Sequence, residues 1–479
     1  MKESFDLIVI GAGPGGSTLA ALMAKKGRKV LVVDKNPRAG GRMLTVRKHG
    51  FSYEMFPING VPARNSLFEE VSRRLDLEEE LQPVLPKKVG VLYYEDSAGK
   101  LNRWVMGSSP WGLMTALGVR LWKPLSLIRT FRALKEMATL PPAEIEKLYD
   151  ISAMQYFKRF EPLPEGIRTY ILASFGEGAF EMPSDHTSAA EMLKLFQAAQ
   201  KNGGGRYYRG GIGTVFEAYT RRVEELGGKV LMNTRVDHIN FRKGAACGVT
   251  TEDGQKFDAP IVVSNAGLRQ TVLKLAGKKH FSEEYLSWCR NLEHNLACAG
   301  FRYFLDAPVL EYPMYIYYPE GCVAPYKEFE DMASGLIKPA HSYIYLGTTS
   351  LYPDTAPPGK QLVYACMSCI ADPELDISPY LEYVEKRVRK IMPELFDHIS
   401  HTETFGPGNV AGIGTDIVLP GQGGESYGLA LSTGQSGPAQ PGHLSPVAGL
   451  YFVGCDAGGS GLGTHQALDS AVKLAALLE

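Results

Sequence analysis

The spacing of hydrophobic and polar positions changes several times along the chain and marks the predicted elements. An apolar run at 7–10 leads into a glycine-rich turn, a helical stretch and a second apolar run at 30–33. This succession predicts the strand, turn, helix and strand of a parallel βαβ unit. Near the other end, a predicted strand at 449–454 precedes a second glycine-rich turn and an amphipathic helix, which we expect to begin with Thr464 as its N-cap. The helical period rests on Ala467, Leu468, Ala471, Leu474 and Leu478.

A third patterned stretch lies in the middle of the chain. A helix is predicted over about 213–226, because two glycines follow it in the usual C-terminal position. A strand over 229–233, a hairpin turning at 252–254 and a strand over 259–265 come next. We expect these elements to complete the domain that the two ends of the chain begin.

The rest of the chain shows two further patterns. Residues 66–205 are mostly helical in pattern, with helices predicted over 69–81 and 191–201. Residues 300–370 alternate instead, which predicts strands. The chain is therefore expected to carry a second, mixed domain beside the βαβ unit.

Aromatic rings recur at every second position in two of these strands, over 314–318 and 341–346. Alternate side chains of a strand share a face. The residues expected to share a face in this way are His341, Tyr343 and Tyr345 in one strand, and Tyr315 and Tyr317 in the other. Two interpretations stay open: the rings line a long apolar cavity, or they pack as ordinary strand residues.

Composition limits the class of protein. Of 479 residues, 44% are hydrophobic and 22% are charged, which is ordinary for a soluble globular chain, and the net charge of −1 argues against nucleic-acid binding. The seven cysteines are few and odd in number, which favours a reducing cytoplasm. Cys366 and Cys369 are expected to be two core residues, since residues three apart on a strand point to opposite faces. The ten histidines show no metal-ligand spacing, so we expect no metal site.

The segment 97–135 has an unusual charge pattern. It contains seven basic residues, no acidic residue and three of the four tryptophans: Lys100, Arg103, Arg120, Lys123, Arg129, Arg132 and Lys135, with Trp104, Trp111 and Trp122. Basic residues beside aromatic and aliphatic ones are typical of helices that lie on an anionic membrane surface. The alternative is a solvated helical cap. No uncharged apolar run reaches the length of a spanning helix, so we expect a cytoplasmic protein whose membrane contact, if any, is peripheral, at the inner face.

The first glycine turn has the chemistry of a dinucleotide site. Gly11 permits a tight turn, Gly13 lets the backbone approach a pyrophosphate, and Gly16 lets the helix pack close to the strand. Asp34 ends the second strand, where a carboxylate binds ribose hydroxyls. Glycine is enriched overall, at 52 of 479 residues, and this turn gives part of that excess a function.

The residues after this unit carry a resemblance to a known family. Arg38-Ala-Gly-Gly41-Arg42-Met43-Leu-Thr45 resembles the R-x-G-G-R-x-x-[ST] motif of the flavin superfamily that contains amine oxidases and phytoene desaturases. The resemblance implies an FAD cofactor, with Arg42 against its pyrophosphate. It also implies that Asp456 lies near the ribityl phosphate, that the helix start at 464–466 faces the flavin N1/O2 edge, and that the backbone of Val236 meets adenine.

The predicted cofactor-binding residues come from all three patterned stretches. They are Gly11, Gly13, Pro14, Gly15, Gly16, Asp34, Lys35, Gly41, Arg42, Met43, Pro57, Val236, Asp456, Gly463, Thr464, His465 and Gln466. The chain has no second GxGxxG turn that opens a βαβ unit, so a separate NAD(P)H domain is not expected. The electron acceptor or donor is not indicated.

The C-terminal region resembles one branch of this superfamily in particular. The residues from Tyr427 onward, and the segment 205–213, look like those of phytoene desaturases, carotene isomerases and retinol saturases. The resemblance implies an FAD-dependent oxidoreductase acting on a carbon–carbon bond of an apolar, unsaturated, isoprenoid-like substrate by hydride transfer at flavin N5. One departure is Phe56, which stands where the branch usually has glycine. It would cover the flavin ring or narrow the cavity.

Two alternatives and one gap remain at this stage. A flavin amine oxidase acting on a C–N bond shares the same cofactor motifs, and a prenyl-binding protein of the GDP-dissociation-inhibitor type shares the architecture without flavin. The catalytic residue is not identified. Tyr207, Tyr208, Glu217 and His341 are candidates for proton transfer that still need geometry.

The predicted fold class is α/β, a Rossmann-like FAD-binding domain of the glutathione-reductase type interleaved with a mixed-sheet and helical substrate domain. The cofactor domain is assigned to 1–65, 205–270 and 440–479. The substrate domain is assigned to 66–204, mainly a helical cap, and to 271–439.

Overall fold

The computed structural model of the protein describes residues 3–58, 62–120 and 123–479. It is built around a five-stranded parallel sheet. In spatial order its strands are Leu450–Phe452, Ile261–Ser264, Leu7–Ile10, Val30–Val33 and Lys229–Leu231. The two N-terminal strands are buried at every position, which explains their uninterrupted apolar sequences. The two ends and the middle of the chain thus contribute to one sheet, as the hydrophobic pattern predicted.

Three helices pack together against this sheet. Pro14–Lys25 packs against both Gly463–Leu477 and Gly213–Glu225. Their apolar faces join the same buried cluster, in which Leu19 and Leu468 are fully shielded from solvent. Burial of a leucine side chain contributes about 1.5–3 kcal/mol, so this three-helix contact fixes the two glycine-rich turns relative to each other.

The second large sheet is mixed and has seven strands. In spatial order they are Ile399–Phe405, Ala297–Leu305, Gln361–Cys369, Ile344–Gly347, Met314–Pro319, Val91–Glu95 and Leu101–Val105. Val91–Glu95 pairs in parallel with Met314–Pro319, and the other pairs are antiparallel. The last two strands fall in the region predicted as mostly helical, so that prediction is wrong for 91–105. They also join the stretches 66–204 and 271–439 in one sheet.

Three smaller sheets complete the strands of the described residues. One has three antiparallel strands, Val236–Arg242, Ala245–Thr251 and Lys256–Asp258. The other two are the pairs Thr45–Lys48 with Phe51–Glu54 and Pro83–Val84 with Tyr207–Tyr208. The remaining α-helices are Leu67–Arg74, Pro110–Ala116, Pro124–Thr139, Pro142–Ile145, Ala153–Lys158, Glu165–Leu172, Gly178–Phe180, Ala189–Asn202, Leu268–Gln270, Glu283–Asn291, Tyr326–Ala333, Ser378–Ile391 and Pro407–Ala411.

Several predicted boundaries shift in the structure. The C-terminal helix begins at Gly463 with Leu462 as its N-cap, so the prediction of Thr464 as the cap is wrong. The helix predicted over 69–81 is Leu67–Arg74 and ends earlier, because the chain turns through Asp76 in the left-handed region. Within the described ranges, no helix is both long enough and apolar enough to cross a bilayer.

Candidate functional site

One cavity of ≈ 1080 Å³ is lined by residues of both large sheets. Fifteen of the seventeen predicted cofactor-binding residues line it: Gly11, Gly13, Pro14, Gly15, Asp34, Lys35, Gly41, Arg42, Met43, Pro57, Val236, Asp456, Gly463, Thr464 and His465. Gly16 and Gln466 do not. Both are buried, Gly16 against the glycine turn and Gln466 inside its helix. The cavity therefore brings together residues from the three stretches that the sequence pattern singled out.

Asp34 holds the first glycine turn in shape. Its Oδ2 accepts a hydrogen bond from the backbone N–H of Ala12 at 2.6 Å, and Oδ1 accepts one from Asn36 N–H at 2.7 Å. Burial raises the pKa of Asp34 in spite of these two bonds. The carboxylate thus joins the end of the second strand to the turn after the first strand, at the cavity wall.

Two helices begin at the cavity without a side-chain cap. Pro14–Lys25 starts after Gly13, and Gly463–Leu477 starts after Leu462, and neither N-cap residue bonds the first turn through its side chain. Free N–H groups and the positive end of the helix dipole favour anions at such helix starts. The cavity therefore has two regions suited to negative charge.

Asp416 forms ion pairs with three basic side chains at the edge of the cavity. Its carboxylate pairs with Lys35 at 2.7 Å, with Arg235 at 2.8 Å and with Lys274 at 2.9 Å. Although burial opposes the effect, these bonds hold the pKa of Asp416 well below its usual range. All four residues line the cavity. Their ion pairs therefore connect separate segments of the chain at the part of the cavity wall where Asp34 lies.

Aromatic and sulfur-containing side chains line another part of the cavity. Tyr343 and Tyr345 face it, as the alternating pattern allowed, but His341 lies before the strand and is exposed. Tyr318 and Ile316 line it from the neighbouring strand. Cys298, Cys366 and Met367 complete this part of the wall. An apolar ligand of extended shape would be in contact with ring faces here.

The other predicted aromatic face has a different role. Tyr315 and Tyr317 do share a face, but they are buried in the cluster beneath the helix Ser378–Ile391 and do not line the cavity. For these two rings the interpretation as strand packing is the right one. Cys369 belongs to the same cluster, whereas Cys366 lines the cavity, which confirms that the two cysteines point to opposite faces.

Phe56 and Pro57 both line the cavity. The ring of Phe56 lies 6.4 Å from that of Phe405 in an edge-to-face arrangement. A glycine at this position would leave that space open. Phe56 thus occupies part of the cavity wall that the related motif leaves free, in agreement with the prediction that it narrows the cavity.

None of the four residues proposed for proton transfer lines the cavity. Tyr207 is buried and donates its hydroxyl hydrogen bond to Glu54. Tyr208 is buried in the cluster beneath the sheet, and Glu217 forms ion pairs with Arg38 and Arg47. His341 is exposed, so none of the four candidates reaches into the cavity.

Away from the cavity, the fold brings His49, His401 and Glu403 together, with potential ligand atoms within 4.8 Å of one another. These residues lie on paired strands or next to them, so their spacing in sequence gave no indication of the cluster. Glu403 is already ion-paired with Lys48. We assign no metal to this group.

The chain matches the family described as flavin containing amine oxidoreductase over residues 16–478. It belongs to that family. The match begins at the end of the first glycine-rich turn and includes the second, and it confirms the resemblance inferred from the motifs. The protein is accordingly a flavin oxidoreductase, and its cofactor is FAD.

The chain spans about half the length of the curated relatives that it matches. It is 27% identical over 308 residues to a neurosporene-forming phytoene desaturase from Cereibacter sphaeroides, covering 56% of this chain and 54% of the relative. It is 24% identical over 308 residues to the human all-trans-retinol 13,14-reductase, covering 57% and 48%. An oxidoreductase structure from Methanosarcina mazei aligns over 98% of this chain and 99% of its own, with a TM-score of 0.70 and 17% identity. That last likeness supports the fold alone.

The residues of the cavity fit FAD. Gly13, Gly15 and Gly41 line the wall without side chains, which leaves room for a pyrophosphate beside a helix start. Arg42 bonds the backbone carbonyl of Tyr427, but its Nε is buried without a partner among the described residues. A guanidinium with an unused N–H suits a phosphate oxygen, so the sequence prediction for Arg42 has a physical basis in the structure.

Sequence reasoning missed Glu181, a carboxyl group in the apolar part of the cavity. It stands in a stretch with many other acidic residues, so composition gives no reason to select it. Its distinguishing feature is a left-handed backbone, with φ 46° and ψ 50°. Such a conformation is rare for a residue other than glycine and is enriched at functional sites. A sequence pattern does not reveal it.

Proposed function

We propose that this flavoprotein oxidises, reduces or isomerises a carbon–carbon bond of an apolar, isoprenoid-like polyene. The observation that carries the proposal is a single cavity in which the predicted FAD-binding residues meet a wall of apolar and aromatic side chains. Tyr318, Tyr343 and Tyr345 form this wall together with Met314 and Ile316. The names of the relatives, which act on phytoene and retinol, support the same class of substrate.

When bound, FAD supplies or accepts the hydride. The chain itself binds and orients both molecules and keeps water away. The helix starting at Gly463 places its N-terminal dipole where negative charge on a reduced ring would be stabilised. The buried rings give a polyene dispersion contacts along its length. The hydroxyl groups of Tyr318 and Tyr343 are already hydrogen-bonded to Ser174 and Ser368.

We further propose that the protein collects this substrate at an anionic membrane surface. On the helix Pro124–Thr139, the side chains of Leu125, Ile128 and Phe131 are 56%, 64% and 54% exposed. Arg132 and Lys135 are exposed beside them. An apolar stripe flanked by cations suits the interface between acyl chains and anionic headgroups. Trp122 lies outside the described residues.

The position of this helix relative to the cavity supports the proposal. It packs against Ala189–Asn202, which contributes Leu195, Ala198 and Ala199 to the cavity wall. Gln197 donates hydrogen bonds to the carbonyl groups of Met137 and Leu140 and so joins the two helices. A lipid-facing helix is thereby one layer away from the site where an apolar substrate would bind.

The test is anaerobic incubation of the FAD-loaded protein with phytoene, with all-trans-retinol and with benzylamine, each in detergent. Absorbance would follow the flavin and mass spectrometry the products. The proposal predicts a change of two hydrogens, or of double-bond geometry, in one of the polyenes. Flavin bleaching by the amine alone would contradict it in favour of C–N oxidation. A protein that takes up no FAD would instead support a prenyl-binding role.

A further inference from the structure

The carboxyl group of Glu181 is held in an unusual position by distant parts of the chain. The segment Ala173–Glu177 is a π-helix, and the helical turn Gly178–Phe180 follows it. Glu181 then takes its left-handed conformation while its carbonyl accepts a hydrogen bond from Leu296 N–H at 2.7 Å. Asn295 donates to the carbonyl of Phe180 at 2.8 Å. These contacts force a conformation that glutamate alone disfavours.

The side chain of Glu181 has polar partners but no cation. One oxygen accepts a hydrogen bond from Ser368 Oγ at 3.1 Å, and the other accepts one from Cys298 Sγ at 3.5 Å. Ser368 in turn contacts the hydroxyl of Tyr343 at 3.1 Å. Among the described residues, no lysine, arginine or histidine forms an ion pair with Glu181. The titratable groups that face it are Glu177, Cys298, Tyr343, Cys369 and Tyr427.

This environment favours the neutral acid. Burial raises the pKa of Glu181 to about 8, even though the bonds from Ser368 and Cys298 lower it. A carboxyl group with such a pKa gives up or takes up a proton near neutral pH. Burial also raises the pKa of its neighbours, the Glu177 carboxyl group and the Tyr343 and Tyr427 hydroxyls, which favours their protonated forms.

Glu181 is also close to the predicted flavin position. A side chain on Gly463, at the start of the C-terminal helix, would meet the ring of Tyr427 at 3.1 Å. Next to Tyr427, Ser426 N–H donates to the carbonyl of Leu296 at 3.1 Å, and Leu296 N–H is the donor to the Glu181 carbonyl. Both Glu181 and Tyr427 line the cavity. The carboxyl group thus lies on the apolar side of the cavity, and its backbone is joined through Leu296 to the segment 426–427 beside the helix start that is predicted to face the flavin.

We propose that Glu181 is the catalytic residue that exchanges a proton with the substrate carbon next to the one that exchanges hydride. This rests on the proposed function. In the reducing direction, the π electron pair of the substrate takes the proton from the Glu181 carboxyl group, and the neighbouring carbon receives the hydride of reduced flavin. One C=C bond becomes two C–H bonds, flavin is oxidised, and the carboxylate is reprotonated from water. In the oxidising direction, the carboxylate would accept the proton and oxidised flavin the hydride, so that two C–H bonds become one C=C bond.

The test compares Glu181→Gln with Glu177→Gln and Glu181→Asp. Glu177 is a matched control, because it is also buried, four residues away on the same segment, but does not line the cavity. The first readout needs no substrate: infrared difference spectra of the FAD-loaded protein between pH 6 and 10 would follow protonated carboxyl groups. The second is solvent deuterium incorporated into the phytoene or retinol product, measured together with the turnover rate.

We expect Glu181→Gln to remove a carboxyl band that titrates near pH 8 and that Glu177→Gln retains. Turnover and deuterium incorporation should fall by about 10²–10⁴-fold, with FAD content unchanged, and Glu181→Asp should recover part of the rate. Turnover of Glu181→Gln within twofold of the wild-type rate would overturn the proposal while leaving the proposed function intact. If the wild-type protein changes neither polyene, the proposed function fails. The infrared titration then still decides the protonation of Glu181, and an unchanged set of bands in Glu181→Gln overturns the proposal.

Discussion

The α-carbon of Gly16 lies so close to the carbonyl oxygen of Gly11 that a Cβ atom on Gly16 would stand 2.0 Å from that oxygen. No real side chain tolerates this separation, so the first helix packs against the first strand only because residue 16 is glycine. The contact also explains why Gly16 does not line the cavity. It sets the distance of the helix from the strand, and the helix start then sets the position of the cofactor pyrophosphate.

Gly16→Ala should therefore weaken both folding and cofactor binding. The added methyl group must displace the helix, and overpacking of this kind costs about 1–3 kcal/mol. We expect a lower melting temperature and a lower ratio of bound FAD to protein after purification, both measurable on the same sample. The matched control is Gly412→Ala, because a Cβ atom there meets nothing within 4 Å and the backbone is already helical. Equal FAD content in the two variants would contradict this account of Gly16.

The Asp416 cluster predicts a second effect on cofactor retention. Asp416→Asn removes the negative charge shared by Lys35, Arg235 and Lys274. Hydrogen bonds to charged groups contribute about 1.5–3 kcal/mol, so we expect a loss of stability in that range and faster FAD dissociation. Stopped-flow fluorescence during exchange of bound FAD would measure the rate. Asp397→Asn is the control, since Asp397 is exposed and lies outside the cavity lining. An unchanged dissociation rate in Asp416→Asn would be evidence against this role.

Local sequence pattern predicted the cofactor region well. One continuous βαβ unit contains the strand 7–10, the turn at Gly11 and Gly13, and the carboxylate of Asp34. The order of these residues in the sequence therefore determines their relative positions in the fold. The same holds for the C-terminal strand and helix. Most of the fifteen predicted residues that line the cavity lie in these two stretches or directly after the first one, whereas Val236 comes from the middle of the chain.

Features that depend on contacts between distant residues were not predictable in this way. The strand 91–95 forms a local antiparallel pair with 101–105 on one side, but its other edge pairs in parallel with the distant strand 314–319. Glu181 acquires its backbone conformation from Leu296 and Asn295, and its polar partners from residues 298 and 368. Periodicity carries no information on such contacts, which explains why four other residues were considered for proton transfer and this one was not.

Glu181 also predicts how stability depends on pH. The folded protein holds its proton up to about pH 8, whereas the unfolded chain releases it near the ordinary value of 4.5. Between these values the folded state binds more protons than the unfolded state, so the contribution of Glu181 to stability falls as the pH rises, by at most about 1.4 kcal/mol per pH unit. It is fully present below pH 4.5 and lost above about 8. Glu181→Gln should therefore gain stability relative to wild type from pH 5 to pH 9, measured by thermal or urea unfolding.

The control for this pH dependence is Glu225→Gln. Glu225 is exposed, and hydrogen bonds from Arg222 and Arg221 lower its pKa. It stays ionised in both folded and unfolded states over pH 5–9, so the difference between this variant and wild type should remain constant in that range. A difference between Glu181→Gln and wild type that is equally constant would show that Glu181 is not a neutral acid in the folded protein.

The exposed helix face predicts binding to membranes that depends on both apolar and basic residues. Transfer of an Ile or Phe side chain from water to an apolar phase contributes about 1.5–3 kcal/mol. The double variant Ile128→Asp with Phe131→Asp should therefore bind anionic phosphatidylserine vesicles at least about tenfold more weakly than wild type in flotation assays. Leu444→Asp is the control, because Leu444 is 66% exposed but lies outside this helix. Wild-type binding should also decrease with salt and on neutral vesicles, since Arg132 and Lys135 are exposed to the headgroups. If wild type and the double variant float equally well, the helix is a solvated cap and the substrate reaches the cavity by another route.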